Sequence, residues 1–135
     1  MLFRSVAPVI PALTDHEMPA ILSAAVSAGA QFAGYVALRL PFGLGSLFEE
    51  WLTRHFPERK EKVLNRVRAL RGGRLNDPNF GTRMRGEGSF ADQIEALFEV
   101  GCRRAGVAGR RPRLSAAAFR IPLPAGASEQ GLLPL

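Results

Sequence analysis

The chain has 135 residues, 47% hydrophobic and 22% charged, and its 18 Lys or Arg against 12 Asp or Glu give a net charge of +6 at pH 7. These totals fit one ordinary domain with a core and give no reason to expect disorder. No run reaches the roughly 18 to 20 apolar residues of a membrane span and no signal-peptide pattern opens the chain, so a cytoplasmic protein with no membrane partner is expected. One cysteine, Cys102, excludes an internal disulfide. With only His16 and His55 beside it, the chain has too few soft ligands for a zinc site or an iron–sulfur cluster.

In chain order, Val6 to Ile10 reads as a short apolar strand, and Thr14 with Glu17 three positions later is a capping-box pattern that starts a helix near Asp15. Met18, Ile21, Leu22, Ala25 and Ala28 recur at helical spacing, and Gly29 lies where a C-cap glycine belongs. "FAGYVALRL", residues 32 to 40, is nearly continuous apolar sequence, as in a parallel strand covered by helices on both faces, and Pro41 stops it. Together these segments make one βαβ unit. The rest of the chain reads as helix and loop, so the parallel sheet has two strands, too few to be stable alone, and is expected to lack its neighbours.

"SLFEEWLTRHF", 46 to 56, places Leu47, Phe48, Trp51, Leu52 and Phe56 on one helical face. Pro57 then fits the first position of a second amphipathic helix, whose stripe is Val63, Leu64, Val67 and Leu70. "GGRLNDPNFGTRMRGEGS", 72 to 89, is too long and too rich in glycine to be a simple connector, and is a functional-loop candidate. Ser89 is the expected cap of a last helix, with Phe90, Ile94, Leu97, Phe98 and Cys102 buried and Arg103 and Arg104 at its C-terminal end. From 107 to 135 the chain is rich in Pro, Gly and Ala, and an extended, partly disordered tail is expected. Three parts result: 1–43, the βαβ unit; 44–106, a helical extension carrying the loop 72–89; and 107–135, the tail.

Positive charge is concentrated. Residues 54 to 85 carry ten Lys or Arg against Glu58, Glu61 and Asp77, and residues 100 to 120 carry six Arg and no acid. Such surfaces attract phosphates, although basic residues also simply solvate helix faces. Within this pattern Arg39 stands at the end of an otherwise apolar strand, where an unpaired charge is costly to bury. It is expected to meet a carboxylate, a ligand or water. Arg83 and Arg85 lie two apart among glycines, so an extended backbone would send both to one side to hold neighbouring phosphates; the alternative is pairing with Asp77, Glu87 or helix carboxylates. Asn79 and Phe80 offer a hydrogen-bonding edge and a stacking ring, or else a turn and a core residue. His16 and His55 lack a second ligand nearby in sequence and suit surface or capping roles.

"VAPVIPALTDHEMPAI", "AGYVALRLP", "ERKEKVLNRVRALRGGRLNDPNFGTRMRGEG" and "RPRLSAAAF", taken in this order from about Val6 to about Phe119, resemble the C-terminal part of radical S-adenosylmethionine proteins of the spore-photolyase-like group. The resemblance implies an α/β fold: the last βαβ portion of a partial (β/α)6 barrel of the TIM type, followed by a mainly helical C-terminal extension. It implies that the first part of the barrel is missing, including the CxxxCxxC motif that this chain lacks. It also implies an intact enzyme that reductively cleaves S-adenosylmethionine at a [4Fe-4S] cluster and abstracts hydrogen from a substrate, with nucleic acid a candidate. Barrel sites form at the C-terminal ends of strands, so the resemblance suggests cofactor contacts at Ile10, Pro11, Leu40 and Pro41, residues that otherwise only shape turns. The substrate-contact candidates are Arg39, Arg83 and Arg85. A chain without the cluster motif would be inactive alone, its partner being the missing barrel portion. The competing readings are a stand-alone basic nucleic-acid-binding module and a helical protein-interaction module.

Overall fold

The computed structural model describes residues 3–107 and 115–120. Two strands, β1 (Phe3–Val9) and β2 (Phe32–Ala37), pair in parallel, with Ser5 opposite Gly34 and Val6 opposite Tyr35, and the register shifts before Val9 meets Ala37. β1 begins at Phe3, earlier than the expected Val6, because its first residues pair with Phe32 to Gly34. Alternation puts Val6, Ala33, Tyr35 and Ala37 on a buried side. On the other side Ser5 and Ala7 are exposed and Phe32, Gly34 and Val36 only half-buried. Among the described residues, the expectation of helices on both faces of β2 is therefore met on one face only.

The chain crosses between the strands through α1 (Met18–Ser27), preceded by a 3-10 turn at Asp15–Glu17. The capping box does not form. Thr14 Oγ1 instead accepts the Ile10 N–H at 2.9 Å, and the Asp15 carboxylate accepts the Ala12 N–H at 3.0 Å, so both side chains are spent on the turn before the helix. Pro19 stands in the first turn of α1, where a missing N–H costs nothing. Gly29 ends the helix as expected: its φ is 91°, and its N–H and that of Ala30 reach back to Val26 and Ala25.

Three further helices follow: α2 (Leu44–His55), α3 (Lys60–Leu70, after a 3-10 turn at Pro57–Arg59) and α4 (Ser89–Ala105). The α3 stripe of Val63, Leu64, Val67 and Leu70 is wholly buried, as its spacing predicts. The α2 stripe is not. Leu52 alone is buried, against α3 and the strand-end residues Leu38 and Leu40, while Leu47, Trp51 and Phe56 face outward because α2 meets its neighbours along a line narrower than its apolar arc. α4 caps with Gly88 rather than the expected Ser89, buries Ile94, Phe98 and Cys102, and closes at the left-handed Gly106. Phe90 and Leu97 pack at the edge of the same core. The expected tail, 107–135, lies mostly outside the described residues; of its described part, Val107 is not tail but buried in the first core, its N–H donating to Cys102 O at 3.0 Å, and 115–120 is a short exposed turn.

Two cores result. One joins β1, β2, α1 and α4; the other joins the strand ends to α2 and α3, and Leu70 at the end of α3 reaches into the first. The α1–α4 contact depends on Gly101, where an added Cβ would lie 2.8 Å from Leu22 Cδ1 and 3.6 Å from Pro19 Cα. Gly101→Leu is therefore expected to cost about 1–3 kcal/mol by overpacking, although the new residue favours helix by about 1 kcal/mol. A lower urea midpoint with unchanged slope would show it; a raised midpoint would mean that α1 moves freely.

Candidate functional site

Each strand runs into a proline turn that places a non-glycine residue in the left-handed region. After β1, Leu13 N–H donates to Ile10 O at 3.1 Å across Pro11 and Ala12, whose φ is 63°. After β2, Leu44 N–H donates to Pro41 O at 3.1 Å across Phe42 and Gly43, with φ of 48° and 76°. A left-handed residue with a Cβ costs roughly 1–2 kcal/mol, so such a turn needs a group to hold it. At Ala12 the holding group is the Asp15 carboxylate. Phe42 is fully exposed.

Of the four strand-end positions expected to contact a cofactor, Pro11 and Leu40 are buried and Ile10 and Pro41 half-buried. Ile10 already donates its N–H to Thr14 Oγ1, and its carbonyl accepts from Leu13 and Thr14. Leu40 belongs to the second core. Ile10, Leu40 and Pro41 therefore all have structural work to do in these turns.

The residue that organises this end of the molecule is Arg71, which is 5% exposed. Its position follows from the C-terminus of α3, where Arg71 turns out of the helix and Gly72 and Gly73, at φ of 61° and 88°, reverse the chain. One guanidinium nitrogen, Nη2, donates to Leu38 O at 2.8 Å and Ala37 O at 3.4 Å; the other, Nη1, donates to Arg83 O at 2.8 Å and Thr82 O at 3.2 Å. A buried cation thus ties the end of β2 to the glycine-rich loop. Burial pushes the Arg71 pKa down, Asp77 works against that shift, and Arg39 adds to it.

The loop between Gly72 and Ser89 is built of consecutive turns. Asp77 accepts from the Thr82 hydroxyl and, at 2.9 Å, from Asn79 N–H, and these bonds hold its carboxyl below the usual range. Arg83 N–H donates to Asn79 O at 2.9 Å, Gly86 N–H to Thr82 O at 2.7 Å, and Glu87 N–H closes the loop on Leu70 O at 3.0 Å. Ala37 N–H donates to Met84 O at 2.9 Å, adding the loop to the edge of β2.

Because this backbone is turned rather than extended, Arg83 and Arg85 part company. Arg85 pairs with Glu95 of α4 at 2.7 Å and lies 4.7 Å above the Tyr35 ring. Arg83 lies 4.6 Å above Phe80, an exposed ring rather than a core one, and has no carboxylate partner among the described residues. Arg39 meets no carboxylate there either; its Nη1 reaches the Met84 sulfur at 3.8 Å. His16 is exposed, and His55 packs 5.5 Å from Trp51. Sequence reasoning missed Arg71, which reads as one more basic residue at the end of a basic helix. The signal that could have found it is its place directly before Gly72 and Gly73, where a side chain is turned inward.

The described residues form a mixed α/β fold with a two-stranded parallel sheet, and among them no helix is long and apolar enough to cross a membrane. No family model, curated protein or solved structure matches the chain.

Proposed function

We propose that this chain is the substrate-facing C-terminal portion of a radical S-adenosylmethionine enzyme of the spore-photolyase-like group, its two strands being the last two of a partial (β/α)6 barrel. The observation that carries this reading is the half-covered sheet. Parallel strands are stable when both faces and both edges are supplied with neighbours, and among the described residues Ser5 and Ala7 are exposed and Phe32, Gly34 and Val36 only half-buried on one face. The helix between the strands lies on the other face, as it does outside a barrel, and the two strained turns stand where barrel sites assemble.

The described residues do not fit the iron–sulfur cluster. Cys102, the single thiol, is buried in the first core with its pKa pushed up by burial, and no group of three His, Cys, Asp or Glu among the described residues could hold a metal. Cluster ligands would have to come from the missing barrel portion, and the contribution of this chain is to bind and position substrate. The test is the reading frame upstream of the Met1 codon, where an in-frame CxxxCxxC is expected about a barrel's length earlier. A ribosome-binding site preceded by stop codons, with no such motif, would reject the enzyme in favour of a free-standing basic module. Anaerobic iron reconstitution of the chain alone is expected to leave it colourless. A stoichiometric cluster absorption lost in Cys102→Ala would overturn the division of labour.

A further inference from the structure

α2 carries an apolar stripe that neither core covers. Leu44, Leu47 and Trp51, spaced three and four apart, lie on one side of the helix, and Leu47 is 62% exposed. The Trp51 ring is fixed from behind: it stacks on Phe48 with centroids 5.7 Å apart and lies 5.2 Å from the Phe56 ring, while Phe48 packs against the second core. A large aromatic held this way loses little freedom when something docks on it. Glu50 and Arg54 border Leu47 and Trp51 around a shallow hollow of about 170 Å³ and form an exposed ion pair at 2.9 Å. Such a pair contributes little to a lone helix, and an exposed apolar stripe rimmed by charge marks an interaction surface. None of the open sheet-face residues belongs to it, so this surface is separate from the one that the proposed barrel portion would cover.

Charge selects the occupant. α2 has two acids, Glu49 and Glu50, against Arg54, in a chain of net charge +6. An acidic protein or an anionic membrane would be drawn to the basic stretches outside α2 rather than to this helix. Two copies of the chain repel each other, and that repulsion is weakest where they meet through α2. We propose that the α2 stripe binds a second copy of this chain, as a two-fold dimer with the two α2 helices antiparallel. Glu50 and Arg54, four residues apart, lie on the same side of the stripe, and a two-fold axis level with position 52 keeps that side while reversing the helix direction. Each Glu50 then stands opposite the partner's Arg54, so two pairs within the copies are exchanged for two across the interface, and the two Trp51 rings meet at its centre. The same arrangement sets the positive end of each helix dipole beside the negative end of the other.

The experiment is sedimentation equilibrium of the full chain from about 1 to 200 µM, where an interface of one helix per copy predicts a weak dimer that dissociates in the micromolar range. Leu47→Glu is expected to weaken the dimer about a hundredfold, because each copy brings an unpaired charge into the stripe. Glu50→Arg and Arg54→Glu are each expected to weaken it about tenfold, and an equimolar mixture of the two to recover the parent's affinity, because every charge in the mixed dimer again meets its opposite. Ser5→Lys, on the open sheet face, is expected to change nothing. All four positions are exposed, so circular dichroism should match the parent, and the charge mixture decides the question even if Leu47→Glu fails to fold. A chain that stays monomeric at about 200 µM overturns the dimer, as does a mixture that associates no more tightly than its components. A loss in Ser5→Lys equal to that in Leu47→Glu would move the contact to the sheet and overturn the α2 assignment. Capture of the parent but not of Leu47→Glu on phosphatidylglycerol vesicles, with no dimer in solution, would assign the stripe to a lipid surface instead.

Discussion

Arg71→Leu is expected to lower the stability of the chain by about 3 kcal/mol or more, because it removes at once the charged donor that four peptide carbonyls share. Bonds to a charged donor contribute about 1.5–3 kcal/mol each, but the four here share one side chain and do not add. Part of the loss is offset, since the substitution also spares the cost of burying a cation. Thr82 O keeps the N–H groups of Arg85 and Gly86, but the tie from Arg83 O to Leu38 O runs through Arg71 alone, so the loop should loosen from β2. Arg71→Lys keeps the charge but places a single ammonium where a planar fork reaches two segments, and an intermediate loss is expected. Thermal unfolding followed by circular dichroism measures the loss, and hydrogen exchange at Ala37, whose N–H donates to Met84 O, reports the detachment directly. An unchanged melting temperature with protected Ala37 would mean that the loop is held by its own turns and that Arg71 is incidental.

The same residue shows where the sequence is legible and where it is not. α3 is read correctly because a stripe at helical spacing against one solid neighbour is a one-dimensional signal: Val63, Leu64, Val67 and Leu70 are all buried. The βαβ unit is legible for a similar reason, its two strands and crossover helix each carrying an apolar run of the expected length. The capping-box pattern at Thr14 misleads because local signals compete. Its hydroxyl had a helix N–H and the Ile10 N–H within reach, and the tight turn at Pro11–Ala12 took it. The α2 stripe shows the limit of periodicity, which tells that Leu47, Trp51 and Leu52 share an arc and not how much of that arc a neighbour covers. At the candidate site, composition marks the loop, but the directions of Arg83 and Arg85 depend on how each turn closes. A two-residue spacing sends side chains to one side only in an extended chain, and Asp77 with Asn79 prevents that.

Phe98→Ala is expected to be the most damaging single core change, at about 3–5 kcal/mol. Phe98 is 3% exposed and its ring centroid lies 4.9 Å from that of Tyr35, so it joins α4 to the buried side of the sheet and leaves a cavity that Met18, Leu22 and Cys102 cannot fill without shifting α1. For a domain of this size the loss is a large fraction of the whole stability, which is typically about 5–15 kcal/mol. A control separates packing from general fragility at the same contact. The Tyr35 hydroxyl is buried with the Arg85 guanidinium close by but no hydrogen bond of normal geometry, so Tyr35→Phe removes a poorly met polar group while keeping the ring pair, and is expected to be neutral or to stabilise by about 1 kcal/mol. Urea unfolding of both variants measures the two effects on one scale. A loss in Tyr35→Phe as large as that in Phe98→Ala would show that the hydroxyl is bonded in solution, and a loss below about 1 kcal/mol in Phe98→Ala would show that α4 is not fixed to the sheet through this ring.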